Sequence, residues 1–371
     1  MKKGTLLVFM ALMCICSAVK AQTDVVDDPI KNFEHLWKVF YERYANFELK
    51  KVDWKAVYTK YRPMVSKTTK NGELFEICCA MLHELRDGHV TLNPKFKEKD
   101  VDCRAPYAYN LDVEFNTPQL RLELDSIIAS ELTENGFSEN LNEDSFGASN
   151  LQYRTSRRLG YLRLDAMNEL FTFSKLKRTL DKSFQEFKYK QGLIIDLRFN
   201  GGGFDFSAFK LARRITTDQE TIGHYKRRRV FGTKEYGKMK FKKVRPRRGY
   251  WFTKPIVILT SDYTASAAEV FVLLMKELPR VTVIGGNTEG IFSDLHPFKL
   301  PNGWKGTLSH QQYFSQSKEN FEAIGIAPDI QVSNKRTDIE QQVDPVLKAA
   351  IAHLQQVKGK GDHQYLEISE N

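Results

Sequence analysis

The sequence predicts an α/β fold: a mostly parallel sheet with helices on both faces, plus an N-terminal helical domain and a β-rich cap. Three observations predict it. From about residue 159, "LGYLRLD", "GLIIDLRF", "PIVILT" and "VTVIGG" are short apolar runs of the kind found in strands buried on both faces. They alternate with "FSAFKLARRI" and "SAAEVFVLLMKEL", whose apolar spacing is helical, and that alternation marks a covered parallel sheet. Residues 28–86 carry only helical spacing.

Taken in order, residues 1–21 read as a secretory signal peptide. Lys2 and Lys3 precede the apolar "GTLLVFMALMCICSAV", and Val19 and Ala21 place small residues just before Gln22. The apolar run is short for a bilayer span, and neither Cys14 nor Cys16 follows a small residue as a lipid-anchor site would. A soluble exported protein, periplasmic or extracellular, is expected. Residues 22–100 form the helical domain: "IKNFEHLWKVFYERY", then "VDWKAVYTKYRPMV" with Asp53 as its N-cap, then "GELFEICCAMLHEL", ending at "RDGHVTLNP". In residues 101–158, "YAYNLDVEF" and "QLRLELDSII" alternate like strands, and the polar "TENGFSENLNEDSFGASN" reads as a loop, giving the β-rich cap or insertion. Residues 159–356 are the α/β core, closed by "DPVLKAAIAHLQQV" with Asp344 as its cap. Residues 357–371 are a polar tail.

With 371 residues and 42% apolar composition, the chain can bury a proper core and is neither disordered nor fibrous. Loss of the leader takes Lys2, Lys3 and Lys20 with it and lowers the formal charge of +10 by three. Much of the remaining excess lies in the basic segment Lys226–Arg248, "KRRRVFGTKEYGKMKFKKVRPRR". A solvated hairpin or loop is the preferred reading. The sharper one is peripheral contact with something anionic, an acidic polypeptide or a membrane surface. Nucleic acid is not expected, because no nucleic-acid motif is present. Cys78, Cys79 and Cys103 are too few for a disulfide framework, so buried free thiols are expected, with one bridge possible. Neither zinc-ligand spacing nor a cofactor motif occurs. The oligomeric state is open.

Ligands of open α/β sheets bind beyond the C-terminal ends of the strands. Two loops leave strands there: "RFNGGGF" after "GLIIDL", and "SDYTAS" after "PIVILT". The triple glycine can turn several N–H groups towards one point, and Ser266 opens a helix whose N-terminus carries unpaired N–H groups and partial positive charge. These are the parts of an oxyanion hole beside a nucleophile. Taken alone, each fragment is more often a tight turn or an N-cap serine.

In this order, "LIIDLRFNGGG", "TASAAEVF", "GGNTEGIFSD", "LPNGW" and "FEAIGIAPDI" resemble the tail-specific, or C-terminal processing, serine peptidase family. "LWKVFYERYANF", "VDWKAVYTKYRP" and "MLHELRDGHVTL" resemble the helical N-terminal part of its exported bacterial members. The resemblance implies the crotonase-like tail-specific protease core. One branch of the family pairs its serine with a lysine, but that position here is Ile291, and no lysine occurs between Val281 and Phe298. The other branch resembles the tricorn protease core, with serine, histidine and glutamate acting together. The matching residues are Ser266 in "TASAAE", His89 in "DGHV" and Glu322 in "FEAIGIAPD". On this resemblance Ser266 is the nucleophile, His89 its base and Glu322 the orienting acid. Asp87 is a competing partner for His89, and Gly88 stands where tricorn carries a second serine. The oxyanion donors are expected to be the N–H of Ala267 and one glycine of Gly201–Gly203, with Gly202 chosen. Glu269 reads as a capping acid, and Asp196 and Arg198 as supports of the glycine loop. No PDZ segment is found between His89 and Gly160. The expected function is an exported serine endopeptidase acting on peptides or unfolded polypeptides. The alternative is a catalytically idle binding module, since the family fold also resembles that of interphotoreceptor retinoid-binding protein, which carries apolar ligands.

Overall fold

The computed structural model describes residues 28–94, 103, 111, 114–115, 117–142, 151–167 and 173–366. The leader and most of 101–116, including most of "YAYNLDVEF", lie outside the described residues.

The central sheet has six strands: β2 (Leu151–Thr155), β3 (Leu159–Leu164), β4 (Gly192–Asp196), β7 (Ile256–Thr260), β8 (Val281–Gly285) and β12 (Ile330–Gln331). Their order is β12-β8-β7-β4-β3-β2, parallel throughout except for β2, which pairs antiparallel with β3 at one edge. Successive residues of each strand face opposite ways. Leu193, Ile195, Ile256, Ile258 and Val283 therefore join one core, together with Leu180 and Phe184 of a helix at Phe173–Glu186, Leu211 of Asp205–Ala212 and Val270 of Ala267–Met275. Ile194, Val257, Leu259 and Ile284 join another, beneath Leu347 and Ile351 of the C-terminal helix Pro345–Leu366 and Leu124 and Ile128 of Pro118–Glu134. The sheet is thus covered on both faces, as its continuous apolar strands require.

The N-terminal helices α1 (Pro29–Arg43), α2 (Trp54–Tyr61) and α3 (Asn71–His83) follow the expected pattern. Asp53 caps α2 by accepting from the N–H groups of Lys55 and Ala56. Their apolar faces pack with Phe298 and Leu308 of a small sheet, β1 (Thr91–Asn93), β10 (Lys305–Ser309) and β9 (Leu295–Lys299), ordered β1-β10-β9, and with Leu300 and Trp304 of the turn between β9 and β10.

The β-rich cap over 101–158 needs correction where the chain is described. Pro118–Glu134 is one helix, not a strand. Thr117 caps it by accepting from the Leu120 N–H, Pro118 occupies the first turn, and Leu124, Ile127, Ile128 and Leu132 are buried at helical spacing. Among the described residues of this stretch the one strand is β2, and it belongs to the central sheet. The last helix runs to Leu366, into the segment read as the polar tail. Cys79 is bridged to Cys103, while the neighbouring Cys78 is free and buried. Among the described residues no helix is long and apolar enough to cross a membrane.

Arg198 is buried at the C-terminal end of β4 and joins the sheet to the C-terminal helix. Its guanidinium donates to Asp196 (2.6 Å), Asn334 (2.9 Å) and Asp344 (2.9 Å), and Asp344 in turn caps the helix by accepting from Val346 and Leu347. Burial alone would raise the Asp196 carboxyl, but the guanidinium outweighs it and holds Asp196 below the ordinary carboxylate range. Arg198→Met would leave two carboxylates buried without their cation. The expected cost is about 3–5 kcal/mol, read as a fall of roughly 10 °C in the thermal unfolding midpoint. An unchanged midpoint would contradict this role.

Candidate active site

Ser266 lies between β7 and the helix Ala267–Met275, at φ 54° and ψ −119°. A residue with a Cβ rarely adopts this conformation and is held there only by its surroundings. Ala265 N–H donates to the Asn200 carbonyl (3.0 Å), and Ser266 N–H donates to Glu269 Oε2 (3.0 Å). The result is a sharp strand-to-helix turn that leaves the Ser266 side chain half-buried, with the helix N-terminus directly behind it.

The glycine loop closes on this turn. Gly202 has φ 96°, and a Cβ there would stand 2.6 Å from Ser266 Cβ and 3.2 Å from the Ala267 nitrogen. Only glycine allows that approach. Asn200 fixes the loop: its Nδ2 donates to the Leu164 carbonyl (3.0 Å) and its Oδ1 accepts from Gly202 N–H (2.9 Å). The Gly202 N–H is thus directed at Asn200, whereas Gly203, next along the exposed side of the loop, is at φ 140°.

Glu269 is fully buried and accepts from Ser266 N–H, Thr288 Oγ1 (2.6 Å), Gly290 N–H (2.7 Å) and Ile291 N–H (2.9 Å). Burial pushes its carboxyl up to about 7 despite these four donors. It therefore does cap the helix, and it also ties the serine turn to residues 288–291. One residue further, Phe292 N–H donates to Glu322 Oε2 (2.9 Å). Next to Phe292, the backbone of Ser293 lies against the His89 ring. Residues 288–293 thus run past all three expected site residues. This strip holds Ile291, at the position of the lysine in the other branch. Gly290 lies so close to residues 323–325 that a Cβ would meet the Gly325 nitrogen at 2.7 Å.

His89 reaches the site from the N-terminal domain because β1 pairs with β10. Thr307 Oγ1 donates to the His89 carbonyl (2.7 Å) and also meets Thr91 Oγ1 (2.8 Å). Asp87 holds the turn: one oxygen accepts from His89 N–H (2.9 Å), the other from Tyr44 Oη (2.8 Å). His89 is buried and its Nδ1 meets no partner among the described residues; the same is true of Glu322 Oε1. No hydrogen bond between Ser266 and His89, or between His89 and Glu322, occurs among the described residues. Burial lowers the titration of His89 below its ordinary value, with Asp87 opposing. Burial, then repulsion from Asp87, pushes Glu322 up to about 8.

The Glu322 shift has a consequence for stability. The folded state holds this proton between about 4.5, the ordinary glutamate value, and about 8. The group's contribution is therefore greatest below 4.5 and declines as pH rises to 8. Glu322→Gln should flatten that decline, narrowing the gap in unfolding midpoint between pH 5 and pH 8. An undiminished gap would contradict the shift.

Among the described residues no His, Cys, Asp and Glu cluster could hold a metal ion. The aromatic rings of Phe204 and Phe206 stand exposed just past the glycine loop. Lys276, at the far end of the Ser266 helix, donates to Asp329 (2.7 Å) and the Ala327 carbonyl (3.0 Å).

The sequence matches peptidase family S41 over residues 158–332 and the tricorn protease C1 domain over residues 27–83. Residues 158–332 are a peptidase family S41 domain. The S41 match contains Gly202, Ser266 and Glu322, and the C1 match ends shortly before His89. The chain is 28% identical over 186 residues to a carboxy-terminal-processing protease of Bartonella bacilliformis, covering 49% of this chain and 40% of that protein. It is 28% identical over 202 residues to the tricorn protease of Thermoplasma volcanium, covering 53% of this chain and 17% of that protein. It thus spans less than half the length of these relatives. A candidate peptidase from Parabacteroides merdae superposes with a TM-score of 0.72 at 28% identity, over 88% of this chain and 96% of that one. Tricorn protease superposes at 0.54 and 18% identity over 89% of this chain and 37% of its own, a likeness of fold alone.

Proposed function

We propose that this S41 chain is an exported serine endopeptidase that hydrolyses peptides or unfolded polypeptides through an acyl-enzyme on Ser266. The observation that carries the reading is Ser266 at φ 54° on a strand-to-helix turn, with Gly202 packed against its Cβ. An idle carrier has no use for a serine held in a strained turn at a helix N-terminus.

In this reading His89 takes the Ser266 proton as Oγ attacks the scissile carbonyl carbon. The oxyanion is held by the N–H of Ala267 and by the glycine loop. Gly203 is the better second donor, because Gly202 N–H already serves Asn200. His89 then passes its proton to the leaving amine, and a water activated by His89 cleaves the ester. His89 Nδ1 and Glu322 Oε1 are both buried without partners. One can donate and the other accept, which supports Glu322 as the acid that orients the ring once substrate is bound. Asp87 is less suited, since both its oxygens already accept hydrogen bonds. Export is supported by the leader pattern of residues 1–21 and would be checked by a mature N-terminus at Gln22.

The test is turnover of an unfolded protein substrate by the purified mature chain. Cleavage sites inside the substrate are expected. Purified protein that leaves the substrate intact would overturn the reading and favour the idle module.

A further inference from the structure

The basic segment forms a built surface. β5 (Gly223–Arg228) is the middle strand of a three-stranded sheet, flanked by β6 (Lys240–Lys243) and β11 (Gln311–Phe314). In the register, Lys226 lies opposite Lys240, His224 opposite Lys242, and Arg228 opposite Gln311. Strand alternation therefore sets Lys226, Arg228, Lys240 and Lys242 on one face. Like charges placed opposite each other destabilise a sheet, so this grouping needs a reason.

That face opens into a cleft of about 870 Å³, lined also by Arg43, Arg229, Lys238, His296 and His310. Among the described residues one carboxylate, Asp294, forms an ion pair with a lining cation, Lys226 (3.0 Å). Arg43 donates to no carboxylate there; its guanidinium meets His296 Nε2 (3.1 Å) and stacks on Phe231 (4.8 Å). His296 titrates below its ordinary value through burial and then through the charges of His310, Arg43 and Arg228. The cleft carries a strong, largely uncompensated positive field.

Lysines on an exposed edge strand also guard against edge-to-edge aggregation. That explains Lys240 and Lys242 on β6, but not Lys226 and Arg228 on the central strand. The cleft adjoins the candidate active site: Asp294, which pairs with Lys226, follows Ser293, whose backbone lies against His89. A chain lying in the cleft is thereby led towards Ser266. A flat bilayer would reach the rim of such a concavity and not its floor.

We propose that this cleft binds an acidic stretch of the polypeptide substrate, its Asp and Glu side chains paired with the cations of β5 and β6. As a statement of substrate class it rests on the peptidase reading, yet its test does not require hydrolysis.

The probe is a fluorescein-labelled peptide of alternating Glu and Ser, compared with its Gln and Ser counterpart, titrated into the full mature chain carrying Ser266→Ala and followed by anisotropy. The Glu peptide should bind about tenfold more tightly, with the preference shrinking as salt rises. Adding Arg228→Gln, Lys240→Gln and Lys242→Gln should remove about tenfold of that preference. Equal binding of the two peptides, or a preference that survives the triple substitution, would overturn the proposal, and the salt series on the unsubstituted cleft tests it without any surface variant. Sedimentation with phosphatidylserine vesicles that depends on these three residues, without peptide preference, would assign the cleft to a membrane surface and also overturn it. Selective binding by Ser266→Ala together with absence of hydrolysis by the chain that retains Ser266 would support the cleft and remove the peptidase reading. Hydrolysis without selectivity would do the reverse.

Discussion

Ser266→Ala is expected to abolish hydrolysis of an unfolded substrate and leave a folded protein. Without Oγ there is no nucleophile and no acyl-enzyme, so loss of four or more orders of magnitude in kcat is expected, on the scale of triad removals elsewhere. The fold should survive because alanine keeps the Cβ. The turn at φ 54° is no more strained with alanine than with serine, and the Ser266 N–H still donates to Glu269. Loss of a helix cap costs about 1 kcal/mol at most positions. His89→Ala should lose nearly as much activity, since base and nucleophile act as one unit. Near-wild-type turnover by either variant would remove that residue from the mechanism. Turnover by Ser266→Ala would remove the peptidase reading itself.

Gly202→Ala is the second large effect. The added methyl would stand 2.6 Å from Ser266 Cβ and 2.7 Å from the Ala265 carbonyl oxygen, on a backbone at φ 96°. Neither neighbour is the free end of a flexible side chain, so the glycine loop must withdraw from the serine turn. That would displace the loop's oxyanion donor, and loss of one such donor costs about a hundredfold to a thousandfold in kcat. KM should change less, because the donor acts on charge that develops in the transition state. Asn200 still anchors the loop from its other side, so a cooperative thermal transition should persist. Wild-type kcat in this variant would mean that the loop takes no part in the reaction.

The two predictions rest on features of unequal legibility. The strands of the sheet were readable because burial on both faces leaves continuous apolar runs, such as "GLIID" and "IVILT". The helix Pro118–Glu134 was misread because Leu120, Leu122 and Leu124 alternate with charged residues, a local period of two. The helical period emerges only further on, at Leu124, Ile127, Ile128 and Leu132. The Cys79–Cys103 bridge had no local signature, since pairing depends on how the chain returns upon itself. As expected site residues, Ser266, His89 and Glu322 stood out through the motifs around them, an expectation that the proposed activity assay tests. What holds them did not stand out: Asn200, Thr288 and the strip 288–293 are ordinary in sequence, and their roles come from hydrogen bonds between distant segments. Glu269 was legible as a cap but not as the anchor of that strip. The choice among Gly201, Gly202 and Gly203 was likewise closed to sequence, because it turns on where Asn200 Oδ1 points.

The central claim is that Ser266 is an activated nucleophile. It is tested most directly by treating the mature chain with a fluorophosphonate and locating the adduct by peptide mass spectrometry. The account predicts a single adduct on Ser266, lost in Ser266→Ala and strongly slowed in His89→Ala. Absence of an adduct on Ser266 in folded wild-type protein, or labelling at the same rate without His89, would contradict it.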